Sequence, residues 1–406
     1  VSQPEVILDS AALRGNFRAL QKAYGGRSLF PVVKADAYGH GAPEICRLLE
    51  AEFNDKELPL FCVARVTEAR RLRREGVKRP ILVLSQFSAE ELAEDFPADT
   101  ELVISGFADL ASLAGLKSDV RSRVSGVHIE FDTGMNRLGF PLRDHAVDPR
   151  AQLGIFEEVR RLGLNVTGLM THLARGEDNP SLASQEQAAR FETFVRRLHV
   201  SWSDRAHGTY PRWVHLANSP GIARDLGASF ANAARPGIHL WGLWATEEDR
   251  TRSRSLAVSA ALKPVMRVSA PLRQLFWVMR GEGVGYGHRF KAPEDMLLGT
   301  VNLGYADGVS RSLSRTHDAD WKVGFVVDGT RVPVAGTVSM DLCMMDLSKH
   351  PKAEAWGRAV SAGNPPELVA DWIGPGQTAE DIAGVLGTIS YEVVCAATAR
   401  LRRRVG

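Results

Sequence analysis

A chain of 406 residues is longer than one hydrophobic core usually supports, so two domains are expected. Its 44% hydrophobic and 24% charged content is ordinary for a soluble globular enzyme, and no apolar run approaches the roughly 18 residues of a membrane span. A formal net charge of +2 provides no long-range field, which excludes nucleic acid and membrane surfaces as electrostatic partners.

The chain opens at Val1 without a methionine, which leaves an upstream leader open. From there, β-rich runs are predicted at 30–34, 60–64, 81–84, 101–104, 124–131, 166–171, 212–217 and 229–235. Amphipathic helical stretches at 42–52, 66–74, 155–162 and 182–200 lie between them. Several of the strands are apolar on both faces, as in a parallel sheet covered by helices. Eight strand–helix units within about 240 residues fit a (β/α)8, TIM-like barrel. The rival, an open doubly wound sheet, needs a glycine fingerprint after its first strand, and Lys34-Ala35-Asp36-Ala37-Tyr38 stands there instead. The barrel is therefore assigned to residues 1–245, with the option that the first strand residues pair with the C-terminal part of the chain.

Past Leu243 the pattern changes to alternating or apolar runs at 265–268, 272–279, 296–303, 322–327, 331–334 and 340–347. Asp328-Gly329 marks a hairpin between two of them. Residues 246–406 are thus a mostly β C-terminal domain. The Ala-, Gly- and Pro-rich stretch from His350 to Gln377 reads as an insertion or long surface loop. A helix starts at Thr378, which forms a capping-box-like pair with Asp381, and stops near Gly387. The basic end, Arg400-Leu401-Arg402-Arg403-Arg404, reads as a solvated tail. The cysteines Cys46, Cys62, Cys343 and Cys395 have no C-x-x-C spacing and fit reduced thiols, with the cytoplasm as the default compartment.

Few residues stand out chemically. Lys34 ends the first predicted strand, on the rim where such barrels keep their active sites. A strand-end lysine is usually a solvated charge, but Pro31-Val32-Val33 should bury one side of this one. Desolvation lowers an amine's pKa and turns it into a nucleophile. His172 lies just past an apolar strand, where a hydrogen-bonded rim histidine is the common case. Arg235, between two alanines and Pro-Gly, is a poor candidate for a random surface charge. Tyr305, in Gly304-Tyr305-Ala306-Asp307-Gly308, has the setting of a turn aromatic.

Val32-Val33-Lys34-Ala35-Asp36-Ala37-Tyr38-Gly39-His40-Gly41 resembles the cofactor-lysine signature of the alanine racemases. Six further segments match that family's motifs in order: 132–139 (Asp132 to Gly139), Ala217-Asn218-Ser219, Arg235-Pro236-Gly237-Ile238, 303–308 (Leu303 to Gly308), Ser339-Met340-Asp341 and Ser390-Tyr391-Glu392. Seven collinear motifs spanning nearly the whole chain are highly specific. The resemblance implies pyridoxal 5'-phosphate as cofactor, carried on Lys34, and interconversion of L- and D-alanine that provides D-alanine for peptidoglycan. It implies two acid/base groups, Lys34 and Tyr305, on opposite faces of the substrate's α-carbon. A phenol with a pKa of about 10 needs its anion stabilised to serve as a base, and the family's histidine–arginine relay matches His172 and Arg235. Arg235 would also face the pyridine nitrogen, where it donates a hydrogen bond without yielding a proton and keeps the ring a weak electron sink. That weakness should limit side reactions such as transamination.

Ser219, Gly237 and Ile238 match the family's phosphate cradle, with phenols from Tyr38 and Tyr391. Arg137 and Met340 match positions near the substrate carboxylate, supported by Asp341. Glu130 stands where many members carry a carbamylated lysine; it is an anion without modification, expected to face Arg137 through a shorter stem. No metal is implied. The family's active site is completed across a homodimer. Trp241 and the 350–377 stretch depart from the family pattern. The alternatives are a racemase of broader or different specificity, such as serine, a barrel-type decarboxylase, and a non-catalytic pyridoxal-phosphate carrier. The missing glycine-rich phosphate loop counts against the decarboxylase, and the C-terminal domain against the carrier.

Overall fold

A computed structural model of the chain describes residues 2–142, 150–175, 182–202, 208–253, 257–315 and 321–406. Eight parallel strands form the first unit: Ser28–Leu29, Phe61–Val63, Ile81–Val83, Thr100–Ile104, Val124–Asp132, Val166–Met170, Trp213–His215 and Ala233–Ala234. From Phe61–Val63 to Ala233–Ala234 consecutive strands pair, and Ala233–Ala234 returns to Ser28–Leu29. The last seam closes through Val32, bridged in parallel to Cys62. The result is a (β/α)8 barrel. Leu102, Val103, Ile104, Val127 and Ile129 are fully buried, as strands covered on both faces require.

The first strand is shorter than predicted. Only Ser28–Leu29 and the Val32 bridge belong to the ladder, because the backbone leaves it at Lys34 for a tight turn over Lys34–Tyr38. Inside the barrel, Phe30 packs edge-on against Trp213 (5.1 Å between ring centroids) and His215 (5.2 Å).

The C-terminal unit is built on one 13-residue strand, Met266–Val278, where the sequence predicts two. Register shifts at Val268/Ser269 and Leu272/Gln274 let it bend without breaking. Its sheet runs Thr330–Val332, Phe325–Val327, Val369–Ile373, Met266–Val278, Met296–Val301, Cys343–Asp346, Val334–Ala335. Asp328 (φ 44°) and Gly329 (φ 77°) both take left-handed conformations between antiparallel Phe325–Val327 and Thr330–Val332, as the hairpin signal predicts. The helix Ala379–Leu386 starts at Thr378, whose side chain accepts from Asp381 N–H, and ends at left-handed Gly387.

Two expectations are corrected. Residues 350–377 are not a surface loop. They contain the helix Ala353–Ser361 and the strand Val369–Ile373, which occupies the middle of the sheet with Trp372 and Ile373 buried. Flanking Gly and Pro masked a short apolar run whose backbone groups need ladder partners. The basic end is not a free tail either. Arg402–Val405 pairs in parallel with Glu5–Leu8, which also pairs with Met266–Val278, and Arg404 meets Glu5 at 2.9 Å. The opposite charge on Glu5 gives the arginine run a reason to order. Both chain ends are thereby tied into the C-terminal sheet.

Candidate active site

Lys34 is held at the barrel rim by unusual backbone. Ala35, Asp36, Ala37 and Tyr38 have φ of 51°, 54°, 54° and 55°, a left-handed turn of four non-glycine residues. Such residues cost roughly 1–2 kcal/mol each, so neighbouring groups must hold them. Glu68 accepts from Ala35 N–H at 2.6 Å with one oxygen and from Ala64 and Arg65 N–H with the other. Asp36 accepts from Ala42 N–H at 3.0 Å, and the buried His40 ring lies 2.9 Å from the Ala37 carbonyl. The surrounding protein lowers the Lys34 pKa, first by withholding water and then through the charge of Arg137.

Arg235 lies below, 2% exposed. It donates to His172 Nδ1 (3.1 Å), to His215 Nδ1 and to the Thr171 carbonyl (2.8 Å). Burial, followed by the charges of Arg235, Arg137 and Lys34, pushes His172 well below its usual range and keeps it neutral. The opposite wall is a cradle. Gly237 N–H donates to Ser219 Oγ at 2.8 Å, and Ile238 behind it is buried. A side chain at Gly237 would stand 2.6 Å from the Tyr38 hydroxyl. The Tyr38 ring packs between Trp241 (5.9 Å) and Tyr391 (5.8 Å), the latter on the helix Ser390–Cys395. Burial raises the Tyr38 pKa and keeps it a neutral hydroxyl.

Glu130 is 4% exposed and accepts from Ser105 Oγ at 2.8 Å, so it is no solvated strand end. Burial raises its pKa against the pull of Ser105, Arg235 and Arg137; the Arg137 influence is through space, and the hydrogen bond goes to Ser105. Arg137 follows a loop in which Asp132 accepts from Gly134 and Asn136 N–H.

The structure thus brings Lys34, Tyr38, Glu130, Arg137, His172, Ser219, Arg235, Gly237, Ile238 and Tyr391 to one rim. Tyr305, Met340 and Asp341 form a second group on the β unit. Tyr305 N–H donates to the Ser339 carbonyl (3.0 Å) and Ala306 N–H to the Met340 carbonyl (3.1 Å). Arg400 pairs with Asp341 at 2.6 Å and with Asp307 at 3.5 Å. Tyr305 is 43% exposed and Met340 52%; Tyr305 lines a recess of about 330 Å³ together with Glu392 and Val393. Sequence reasoning missed His215, His128 and Glu101 inside the barrel. Their signal was an ionisable residue inside each of three strand runs otherwise rich in apolar residues.

The rim suits a phosphorylated aldehyde cofactor. It offers a desolvated amine for the aldehyde, a cradle of hydroxyls and backbone N–H that a Cβ would fill, and a buried guanidinium as donor. Among the described residues no helix is long and apolar enough to cross a membrane.

Residues 8–244 match the family model described as alanine racemase, N-terminal domain, and residues 265–405 its C-terminal domain. The chain is 34% identical to an alanine racemase of Sorangium cellulosum over 401 residues, covering 97% of this chain and 96% of the relative. It is also 34% identical to one from Geobacter sp. strain M21 over 411 residues, covering 100% and 99%. Among solved structures, an alanine racemase from Streptomyces coelicolor A3(2) is similar, with a TM-score of 0.78 and 30% identity over 99% of this chain and 98% of that one.

Proposed function

The chain belongs to the alanine racemase family, and from that premise we propose that it interconverts L- and D-alanine with pyridoxal 5'-phosphate held at Lys34. The observation that carries this reading is the strained rim turn, which presents a desolvated Lys34 amine above buried Arg235 and beside the Ser219–Gly237–Tyr38 cradle. Ser219, the Gly237 and Ile238 N–H groups, and the Tyr38 and Tyr391 phenols would hold the phosphate; Arg235 would hold the ring nitrogen. When bound, the cofactor supplies an aldehyde for the substrate amine and a ring that draws electron density from the α-carbon.

The chain's own groups supply the proton traffic. The Lys34 amine removes or returns the α-proton on one face. The Tyr305 phenol of a second copy does so on the other. A second copy is invoked because Tyr305 stands half exposed on the β unit and is not among the groups that act on its own Lys34. His172 and Arg235 belong to the relay behind that phenol. Neutral His172 accepts from Arg235 at Nδ1, which leaves its Nε2 as the donor toward the rim. Arg137 and, from the same second copy as Tyr305, the Met340 N–H receive the substrate carboxylate, with Glu130 beside Arg137 and Asp341 beside Met340 maintaining the local charge balance.

Chiral chromatography of L-alanine incubated with the enzyme and cofactor should show D-alanine accumulating to an equal mixture. Carbon dioxide in its place would establish a decarboxylase, and unchanged L-alanine a carrier. Borohydride should fix the cofactor on Lys34; label on another lysine refutes the assignment.

A further inference from the structure

Below the rim, a line of polar side chains runs down the inside of the barrel and has no part in the roles given above. Arg235 donates to His215 Nδ1. His215 Nε2 lies 2.7 Å from His128 Nδ1, and His128 Nε2 lies 2.8 Å from Glu101 Oε2. Thr167 Oγ1 donates to that same oxygen at 2.5 Å. Both imidazoles are fully buried, and the Glu101 side chain is only 14% exposed. Glu101 belongs to the first turn of ladder in Thr100–Ile104, near the base of the barrel, whereas Arg235 follows the last strand at the rim. The line therefore spans the barrel's interior. Gly168 makes room for it, since a side chain there would press into the His128 ring.

Donor and acceptor chemistry allows one proton arrangement along this line. A guanidinium only donates and a carboxylate only accepts. His215 Nδ1 must therefore accept from Arg235, so a neutral His215 carries its proton on Nε2. That N–H needs an acceptor, so His128 Nδ1 is bare and His128 carries its proton on Nε2, aimed at Glu101. A second proton on His215 would set N–H against N–H at Arg235. One on His128 would do the same at His215. Burial and the Arg235 charge keep His215 well below its ordinary pKa, in agreement. Burial works against the Glu101 charge, but the His128 imidazole, through its hydrogen bond and its electrostatic influence, together with Thr167 and Arg212, outweighs it and leaves the carboxyl below its ordinary range.

We propose that Glu101 is a positioning residue: through His128 and His215 it fixes the tautomers that hold the Arg235 guanidinium in place at the rim. Without an acceptor at the base, the His128 Nε2–H is left unpaired in the core. The ring relieves this by moving its proton to Nδ1, which forces the His215 proton to Nδ1, opposite Arg235. The disturbance begins at the far end of the barrel and arrives beneath the cofactor cradle. The consequence for turnover rests on the racemase reading; the tautomers do not.

The test is ¹⁵N–¹H correlation of histidine-labelled protein, with His128 and His215 assigned from single-histidine variants. Wild-type protein should show both as Nε2–H tautomers. Glu101→Gln, which keeps an acceptor oxygen, should preserve them. Glu101→Leu should cost His215 its single tautomer and lower kcat about tenfold, with KM within about twofold because the carboxylate-binding residues are untouched. Either ring in wild-type protein carrying Nδ1–H or two protons overturns the proposal, whatever the variants do. So does a folded Glu101→Leu protein with unchanged tautomers. Wild-type protein that shows the tautomers but no racemisation sinks the functional reading and leaves the wiring standing.

Discussion

Gly237→Ala is the smallest change that tests the cradle. The added methyl would lie 2.6 Å from the Tyr38 hydroxyl and 3.9 Å from Ser219 Oγ. Ordinary carbon–oxygen contact needs about 3.4 Å, so the phenol must retreat by roughly 0.8 Å or the Gly237 backbone must shift. The phenol has little room, because its ring is 7% exposed and packed between Trp241 and Tyr391, and its backbone belongs to the left-handed turn. The cradle therefore opens, and phosphate loses one hydrogen bond made by a charged acceptor. Such bonds contribute about 1.5–3 kcal/mol, so the cofactor Kd should rise roughly 10–100-fold. Absorbance titration of cofactor-depleted protein with pyridoxal 5'-phosphate measures this directly. Since the substitution touches neither Lys34 nor Tyr305, kcat at saturating cofactor should change little. An unchanged Kd would mean the phosphate does not lie against Gly237, and the cradle assignment would be abandoned.

Tyr305→Phe should lower kcat in both directions by at least ~10²-fold while cofactor content stays normal, read by chiral chromatography and absorbance. Near-normal turnover would leave the second proton donor unidentified. Mixing that variant with a Lys34→Ala variant should restore activity to a fraction of the dimers, if each site takes its phenol from the other copy; no recovery after subunit exchange argues for a site within one chain. Acid should unfold the protein early. His40 is pushed down to about 4 by burial, so the unfolded chain binds a proton below pH 6.5 that the folded chain refuses. Stability then falls as pH drops from 6.5 to about 4, by roughly 1.4 kcal/mol per pH unit for this group, or about 3 kcal/mol in all. His172 and His215 act in the same direction. Urea unfolding across pH 4–7 should show a shallower slope in His40→Asn, and an identical slope would place the loss elsewhere.

Much of this was legible because local pattern and tertiary role coincide. Apolar runs marked the barrel strands, and Asp328-Gly329 and Thr378 with Asp381 signalled their turn and cap without reference to the rest of the chain. The left-handed turn after Lys34 was not legible: alanine and tyrosine carry no signal for positive φ, and the conformation is held by Glu68, the His40 ring and the Ala42 N–H from outside the turn. The central strand Val369–Ile373 was hidden by its Gly- and Pro-rich flanks, since the long-range pairing that stabilises it has no local signature. Glu130 was expected to face Arg137, yet its hydrogen bond goes to Ser105, a partner 25 residues away that only the barrel brings near.

The arginine-rich end has the least expected connection to the rim. Arg403, with its side chain 8% exposed, donates to the Gly39 carbonyl at 2.7 Å and to the Ala397 carbonyl at 3.0 Å, and lies 3.6 Å from Asp36. It ties the last strand and the segment after the helix Ser390–Cys395 to the turn that presents Lys34. Four left-handed residues cost roughly 4–8 kcal/mol together, so each external tie matters to that turn. Arg403→Ala removes the hydrogen bond to Gly39 along with those to Ala397, Thr398 and Leu401 and leaves Asp36 less well compensated, an expected loss of at least about 2 kcal/mol. If the tie positions the turn, this variant should be less stable to urea and should also react more slowly with pyridoxal 5'-phosphate at Lys34. Arg402→Ala, one residue away on the exposed side of the strand, should do neither. Equal behaviour of the two variants would reduce Arg403 to a strand-end charge and leave the turn to Glu68 and His40 alone.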